Sequence, residues 1–124
     1  MKYASAEDRL NPVAPEGADE ATLGGYMAVH GRAAAFEGGD GDPYTVAVET
    51  DATGDEALPY AGYLVFIRWA QTGSAIMGHL ESGDLVAAAS EDEARAMLEA
   101  LPLHQVRALL DEAIARRRAE ANEG

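Results

Sequence analysis

Residues 60 to 101 read YAGYLVFIRWAQTGSAIMGHLESGDLVAAASEDEARAMLEAL, and this stretch decides the fold. It opens with a largely apolar run, Tyr60 to Trp69, which has the length and character of a buried strand. A polar break at residues 71 to 74 indicates a turn. A second apolar run follows, and Ser90 with three acidic residues after it indicates the start of a helix. The order strand, turn, strand and helix predicts an α+β domain.

The strand at residues 60 to 69 is apolar on both of its faces. Side chains alternate across a strand, so successive residues point to opposite sides of the sheet. One side carries Tyr63, Val65, Ile67 and Trp69, and the other carries Leu64, Phe66 and Arg68. Such a strand is typical of the centre of a sheet, so we expect it to be covered on both faces.

Two shorter segments follow this central strand. Residues 75 to 81 predict a fourth strand, which the sequence Ser82-Gly83-Asp84 interrupts. Residues 85 to 89 form either a short fifth strand or an extended connection to the next helix. The predicted sheet therefore has four or five strands.

A β-hairpin is predicted before the central strand. Residues 44 to 50 alternate between apolar and polar side chains, and residues 26 to 36 supply the first strand. The loop between them contains Gly38-Gly39-Asp40-Gly41-Asp42, residue types that favour turns. Asp40-Gly41-Asp42 resembles the opening of a calcium loop, but Tyr44, Thr45 and Asp51 occupy positions that require other residues. The segment is interpreted as a turn.

Two helices are predicted at the C-terminal end of the domain. Ser90 and Glu93 match a capping box, in which each side chain accepts a hydrogen bond from the other residue's backbone amide. The first helix then has an apolar stripe, and Pro102 ends it or begins the next one. The stripe of the second helix consists of Leu103, Val106, Leu109, Leu110, Ala113 and Ile114. Stripes of this spacing are typical of helices that pack on a sheet.

These elements predict one α+β domain: a mostly antiparallel sheet of four or five strands, followed by two C-terminal helices packed on it. The domain is expected to span residues 26 to 118. Residues 1 to 25 contain prolines, glycines and acids without a periodic apolar pattern, and they predict a flexible acidic arm. Residues 119 to 124 predict a frayed tail.

The composition limits the partners of the protein. Twenty-two acidic residues against nine basic ones give a net charge of -13, which repels nucleic acid and anionic membranes. There is no cysteine, which excludes disulfides and thiol chemistry. The N-terminus lacks the apolar core of a signal peptide, and no segment is long and apolar enough to span a membrane. We therefore expect a cytoplasmic protein with a protein partner.

Candidate ligand-binding residues lie on the third and fourth strands. His79 and Glu81 are two residues apart, so both side chains lie on one face and could share a proton or a ligand. Arg68 could bind a carboxylate, and Trp69 could line a pocket beside it. Three or four ligands are needed for a metal, and the sequence predicts neither a metal site nor a cofactor. No catalytic residues are predicted either.

The leading hypothesis is therefore a small non-enzymatic accessory or interaction protein that self-associates, as a homodimer for instance, or belongs to a larger complex. The helix stripe is the candidate interface, through Val106, Leu109, Leu110 and Ile114. A second hypothesis is a small-molecule-binding or enzymatic domain with a pocket between sheet and helices, which requires Arg68, His79 and Glu81 to converge. The third is an acidic decoy that binds a basic protein surface.

Overall fold

The computed structural model describes residues 20 to 123. A short helix begins this region, a meander of four strands follows it, and two helices complete it. The elements in chain order are α1 (Leu23–His30), β1 (Ala35–Glu37), β2 (Pro43–Ala52), β3 (Tyr60–Trp69), β4 (Ile76–Ala88), α2 (Glu91–Glu99) and α3 (Leu103–Glu123).

The four strands form one antiparallel sheet in the order β1-β2-β3-β4. Strand β3 lies between the two long strands, and its residues 60 to 68 pair with residues 44 to 52 of β2. Together with the two C-terminal helices, this sheet confirms the predicted α+β class. The number of strands is four, because residues 85 to 88 continue β4 and do not form a separate fifth strand.

Strand β4 passes through the predicted break at Ser82-Gly83 by means of an irregularity in its pairing with β3. The Ser82 hydroxyl accepts a hydrogen bond from the Leu64 amide (3.0 Å) and donates one to the Gly83 carbonyl oxygen (2.6 Å). Gly83 has a φ of 80°, a conformation that favours glycine. A serine and a glycine at this point therefore keep the strand continuous, as they do in a β-bulge.

The predicted first strand of the hairpin is wrong over most of its length, because residues 23 to 30 form helix α1 and only Ala35–Glu37 are extended. The Thr22 hydroxyl caps the helix by accepting from the Gly25 amide (3.1 Å), and Gly31 ends it with a φ of 65°. The turn of the hairpin is confirmed: the Asp42 amide donates to Asp40 Oδ1 (3.0 Å) before β2 begins.

Helix α1 is joined to the connection between the two C-terminal helices. Residues 21 to 23 pair with residues 101 to 103 around a bridge between Thr22 and Pro102. The Leu23 amide donates to the Leu101 carbonyl oxygen (2.9 Å), and the Leu103 amide donates to that of Ala21 (2.7 Å). The Leu23 side chain is 0% exposed. The last residues of the predicted arm thus belong to the packed domain, while residues 1 to 19 lie outside the described residues.

The C-terminal helices begin as predicted. The Ser90 hydroxyl accepts from the Glu93 amide (3.1 Å), although among the described residues the Glu93 carboxylate returns no bond to Ser90. Pro102 comes directly before α3. Helix α3 continues through Glu123, so residues 119 to 123 of the predicted frayed tail are helical. Between residues 20 and 123, no helix combines the length and apolar character needed to cross a membrane.

All three helices contribute to one core on a single face of the sheet. Leu23 comes from α1, Leu98 from α2, and α3 contributes most of its predicted stripe. The residues that the helices and the sheet bury together are Leu23, Ala34, Tyr44, Val46, Leu64, Phe66, Leu98, Val106, Leu110, Ala113 and Ile114. On β3, the members of this core are the even-numbered residues Leu64 and Phe66.

Candidate functional site

The second face of the sheet carries a row of apolar side chains outside the core. Tyr63, Val65, Ile67 and Trp69 alternate with the core residues of β3, and all four are half-buried. None of them belongs to the cluster that the described helices bury. We call these four residues and their cross-strand neighbours the open face. The expectation that β3 is covered on both faces is therefore wrong for the described part of the chain.

The strand register decides what surrounds this row. On the β2 side, Ala47 lies opposite Val65 and Glu49 lies opposite Tyr63. On the β4 side, Glu81 lies opposite Val65. Paired residues in an antiparallel sheet have side chains on the same face. The apolar row is consequently flanked by carboxylates on both sides near its Tyr63 end.

The carboxylates at that end affect the pKa of the Tyr63 phenol. Burial raises the pKa of Tyr63 above its ordinary value, and negative charges nearby raise it further. These charges, which we call the acidic rim, are Glu81, Asp51, Glu49 and Asp84. The open face thus combines an apolar centre with a negatively charged border.

His79 and Glu81 lie together, as the spacing predicts. The distance from His79 Nε2 to Glu81 Oε2 is 3.7 Å, and both side chains are more than half exposed. Among residues 20 to 123 there is no group of three or more histidines and acids that could hold a metal ion. The pair lies at the border of the open face, where it also lines a wide pocket of about 390 Å³ with Ala113, Arg116, Arg117 and Glu120 of α3.

Arg68 and Trp69 lie on opposite faces of the sheet. Trp69 is on the open face, where its Nε1 donates to Thr45 Oγ1 (2.9 Å). Arg68 is on the helix side, where its Nη1 lies 3.3 Å from Asp42 Oδ2. Since His79 and Glu81 share the face of Trp69, Arg68 does not converge with them. The structure therefore does not form the single pocket that the small-molecule hypothesis requires of these residues.

The predicted interface stripe is occupied by the chain's own sheet. Val106 and Leu110 are 0% exposed and Ile114 is 5% exposed, while Leu109 is half-buried against the same core. In the described chain these residues pack against the sheet as part of the internal core. Apolar surface outside the core lies on the open face and at Ile76 and Met77, which are more than half exposed; Leu58 and Met97 are exposed as well.

The opposite side of the sheet contains a buried tyrosine that sequence reasoning did not select. Tyr44 is 2% exposed, and its hydroxyl donates to Asp40 Oδ2 (2.7 Å). Burial raises the pKa of Tyr44 well above its usual range, and the Asp40 carboxylate adds to the effect. The alternation of residues 44 to 48 did place Tyr44 and Val46 on one face, but only the tertiary structure brings Asp40 to the phenol.

Stability is expected to fall as the pH rises above 10.0, the ordinary pKa of a tyrosine. The unfolded chain loses the Tyr44 proton there while the folded chain keeps it, so alkaline pH favours unfolding. Below that pH the phenol of Tyr44 keeps its proton in both states, and its contribution to stability is fully present. Urea denaturation midpoints across the alkaline range measure it. The control Tyr44→Phe should be less stable than the wild type at neutral pH but lose less stability at alkaline pH. If its urea midpoint fell with rising pH as steeply as that of the wild type, the prediction would be contradicted.

Comparison of the chain with family models, with curated proteins and with solved structures gave no match.

Proposed function

We propose that the protein is a non-enzymatic interaction protein, a subunit of a larger complex, whose partner docks on the open face. The observation that supports this is the row Tyr63, Val65, Ile67 and Trp69, which the described helices leave outside the core. Apolar surface arranged as a contiguous patch commonly marks an interface. Aromatic residues at both ends of the row are also the side chains that contribute most to binding in such patches.

Charge decides which partner fits. The acidic rim borders the apolar row, and the whole chain carries a net charge of -13. A partner with an apolar centre and lysines or arginines around it matches this pattern, and long-range attraction speeds its association. A second copy would bring two acidic rims together. We therefore propose a basic protein surface as the occupant, and self-association becomes an outcome that the experiment distinguishes.

The test compares three baits in an extract of the source cells: the wild type, Ile67→Lys and Ala115→Lys. Ile67→Lys places a positive charge in the centre of the open face, whereas Ala115→Lys makes the same charge change on an exposed position of α3. We expect a basic protein that the wild type and Ala115→Lys retain at low salt, that Ile67→Lys loses, and that salt releases.

Binding of that protein, once purified, is then measured directly through Trp69. It is the only tryptophan of the chain and lies on the open face, so docking should shift its emission to shorter wavelength. Equal retention by Ile67→Lys and the wild type would contradict the proposal. So would a wild-type dimer in light scattering that Ile67→Lys converts to a monomer, because it would assign the open face to a second copy.

A further inference from the structure

A pocket lies on the helix side of the sheet, separate from the open face. It is a pocket of about 280 Å³ where the turn before β2 and the end of β3 meet the C-terminal half of α3. Its polar lining consists of Asp40, Asp42, Tyr44, Arg68, Arg117 and Arg118. We call it the arginine pocket. We infer that it binds a small organic monoanion, a carboxylate attached to a short apolar chain.

The acidic groups of the pocket are already engaged by the protein. Asp40 Oδ2 accepts from the Tyr44 hydroxyl (2.7 Å) and Asp40 Oδ1 from the Asp42 amide (3.0 Å). Asp42 Oδ2 accepts from Arg68 Nη1 (3.3 Å), and Asp42 Oδ1 accepts from Gln71 Nε2 (3.1 Å). Every carboxylate oxygen of the two aspartates therefore has a donor within the chain.

The basic groups are not matched in the same way. Within residues 20 to 123, the exposed side chains of Arg117 and Arg118 have neither a hydrogen bond nor an ion pair. Arg68 uses Nη1 for Asp42, and its Nε, which has no acceptor among the described residues, is enclosed by the protein and is not a donor that the pocket presents. Buried donors of charged groups are normally paired. The pocket thus presents the guanidinium groups of Arg117 and Arg118 without an acceptor in the described chain, while each carboxylate oxygen of Asp40 and Asp42 is already engaged by one donor.

The balance of charge and the shape of the pocket define the ligand class. Three guanidinium groups against two carboxylates leave one net positive charge, which suits a single carboxylate better than a doubly charged phosphate. Arginine forks bind carboxylates through paired hydrogen bonds. The remaining lining includes Leu80, Ile114 and Ala121, which provide an apolar wall for a short aliphatic chain.

Hexanoate is the probe, titrated into the full chain while amide and arginine side-chain signals are followed by NMR. Hexan-1-ol has the same chain without the charge, and inorganic phosphate has the charge without the chain. We expect hexanoate to shift the signals of Tyr44, Arg68 and Arg117, and neither control compound to do so. Arg118→Ala should weaken hexanoate binding by about tenfold, the usual effect of losing a hydrogen bond to a charged group.

Arg107→Ala is the matched control, because it removes the same charge from an exposed position of the same helix outside the pocket. Its affinity for hexanoate should equal that of the wild type. The inference would be overturned by equal weakening in Arg107→Ala and Arg118→Ala, by equal binding of hexan-1-ol, or by preferential binding of phosphate. The absence of any hexanoate shift in the pocket would also overturn it. These outcomes are independent of the open face, which lies on the other side of the sheet.

Discussion

Leu110→Glu is expected to unfold the chain. Leu110 is 0% exposed in the middle of the stripe that α3 packs on the sheet. The substitution removes a packed leucine and buries a carboxylate without a partner, and together these effects cost about 5 kcal/mol or more. Small domains have total stabilities of roughly 5–15 kcal/mol, so little or none would remain. Circular dichroism with thermal and urea denaturation measures the loss.

Ala108→Glu is the control for this substitution. Ala108 is exposed two residues earlier on the same helix, so the same charge is added where water can solvate it. We expect its melting temperature to stay close to that of the wild type, with a free-energy change within about 0.5 kcal/mol. A Leu110→Glu protein that stays folded but separates from an oligomer would contradict the core assignment. It would instead support the interface predicted from the sequence.

Leu23→Ala is expected to lower the free energy of unfolding by about 2–5 kcal/mol, as is typical of truncating a fully buried leucine. Leu23 is 0% exposed, and its own backbone amide is bonded to Leu101. Leu58→Ala is the matched control, because the same side chain is lost from a position that is 44% exposed. Its effect should stay below about 0.5 kcal/mol.

Deletion variants test where the packed domain begins after the N-terminal arm. Removal of residues 1 to 25 takes away Leu23 and its pairing with residues 101 to 103, so it should destabilise the fold at least as much as Leu23→Ala. Removal of residues 1 to 19 alone is predicted from their sequence to leave the melting temperature nearly unchanged. If Leu23→Ala and Leu58→Ala proved equally mild, helix α1 would contribute little to the core.

The parts of the fold that short-range patterns determine were predictable. The apolar run at residues 60 to 69 identified β3, and Ser90 with its acidic neighbours identified the start of α2. Each signal depends on residues within one turn of helix or a few strand positions. The antiparallel sheet and the two C-terminal helices follow from them and are confirmed.

Helix α1 was not predictable by the same reasoning, because its first turn contains Gly24 and Gly25. Glycines in the first turn argue against a helix on propensity alone. The structure shows why Gly24 is needed: a Cβ there would lie 2.6 Å from Cβ of Glu99, so a larger residue would push α1 away from α2. That requirement involves residues 75 positions apart, which a local pattern does not contain.

The site was only partly predictable for a similar reason. The sequence showed that both faces of β3 are apolar, but not that the described helices all pack on one of them. It also grouped Arg68 with His79 and Glu81 of the next strand, and only the strand register, which sets His79 opposite Ile67, shows that Arg68 points to the other face. The arginine pocket joins a turn, a strand end and a distant helix. Its residues come together only in the tertiary structure.

The bridge between Thr22 and Pro102 has a consequence for the order of folding. It joins positions 80 residues apart, so its formation must close a long loop, whereas the hairpins of the sheet close short ones. Contacts between distant segments are entropically costly until intervening structure brings the segments together. The amides of Leu23 and Leu103 donate the hydrogen bonds beside the bridge. Their protection in pulsed hydrogen exchange would therefore mark the final step, in which α1 closes the folded chain.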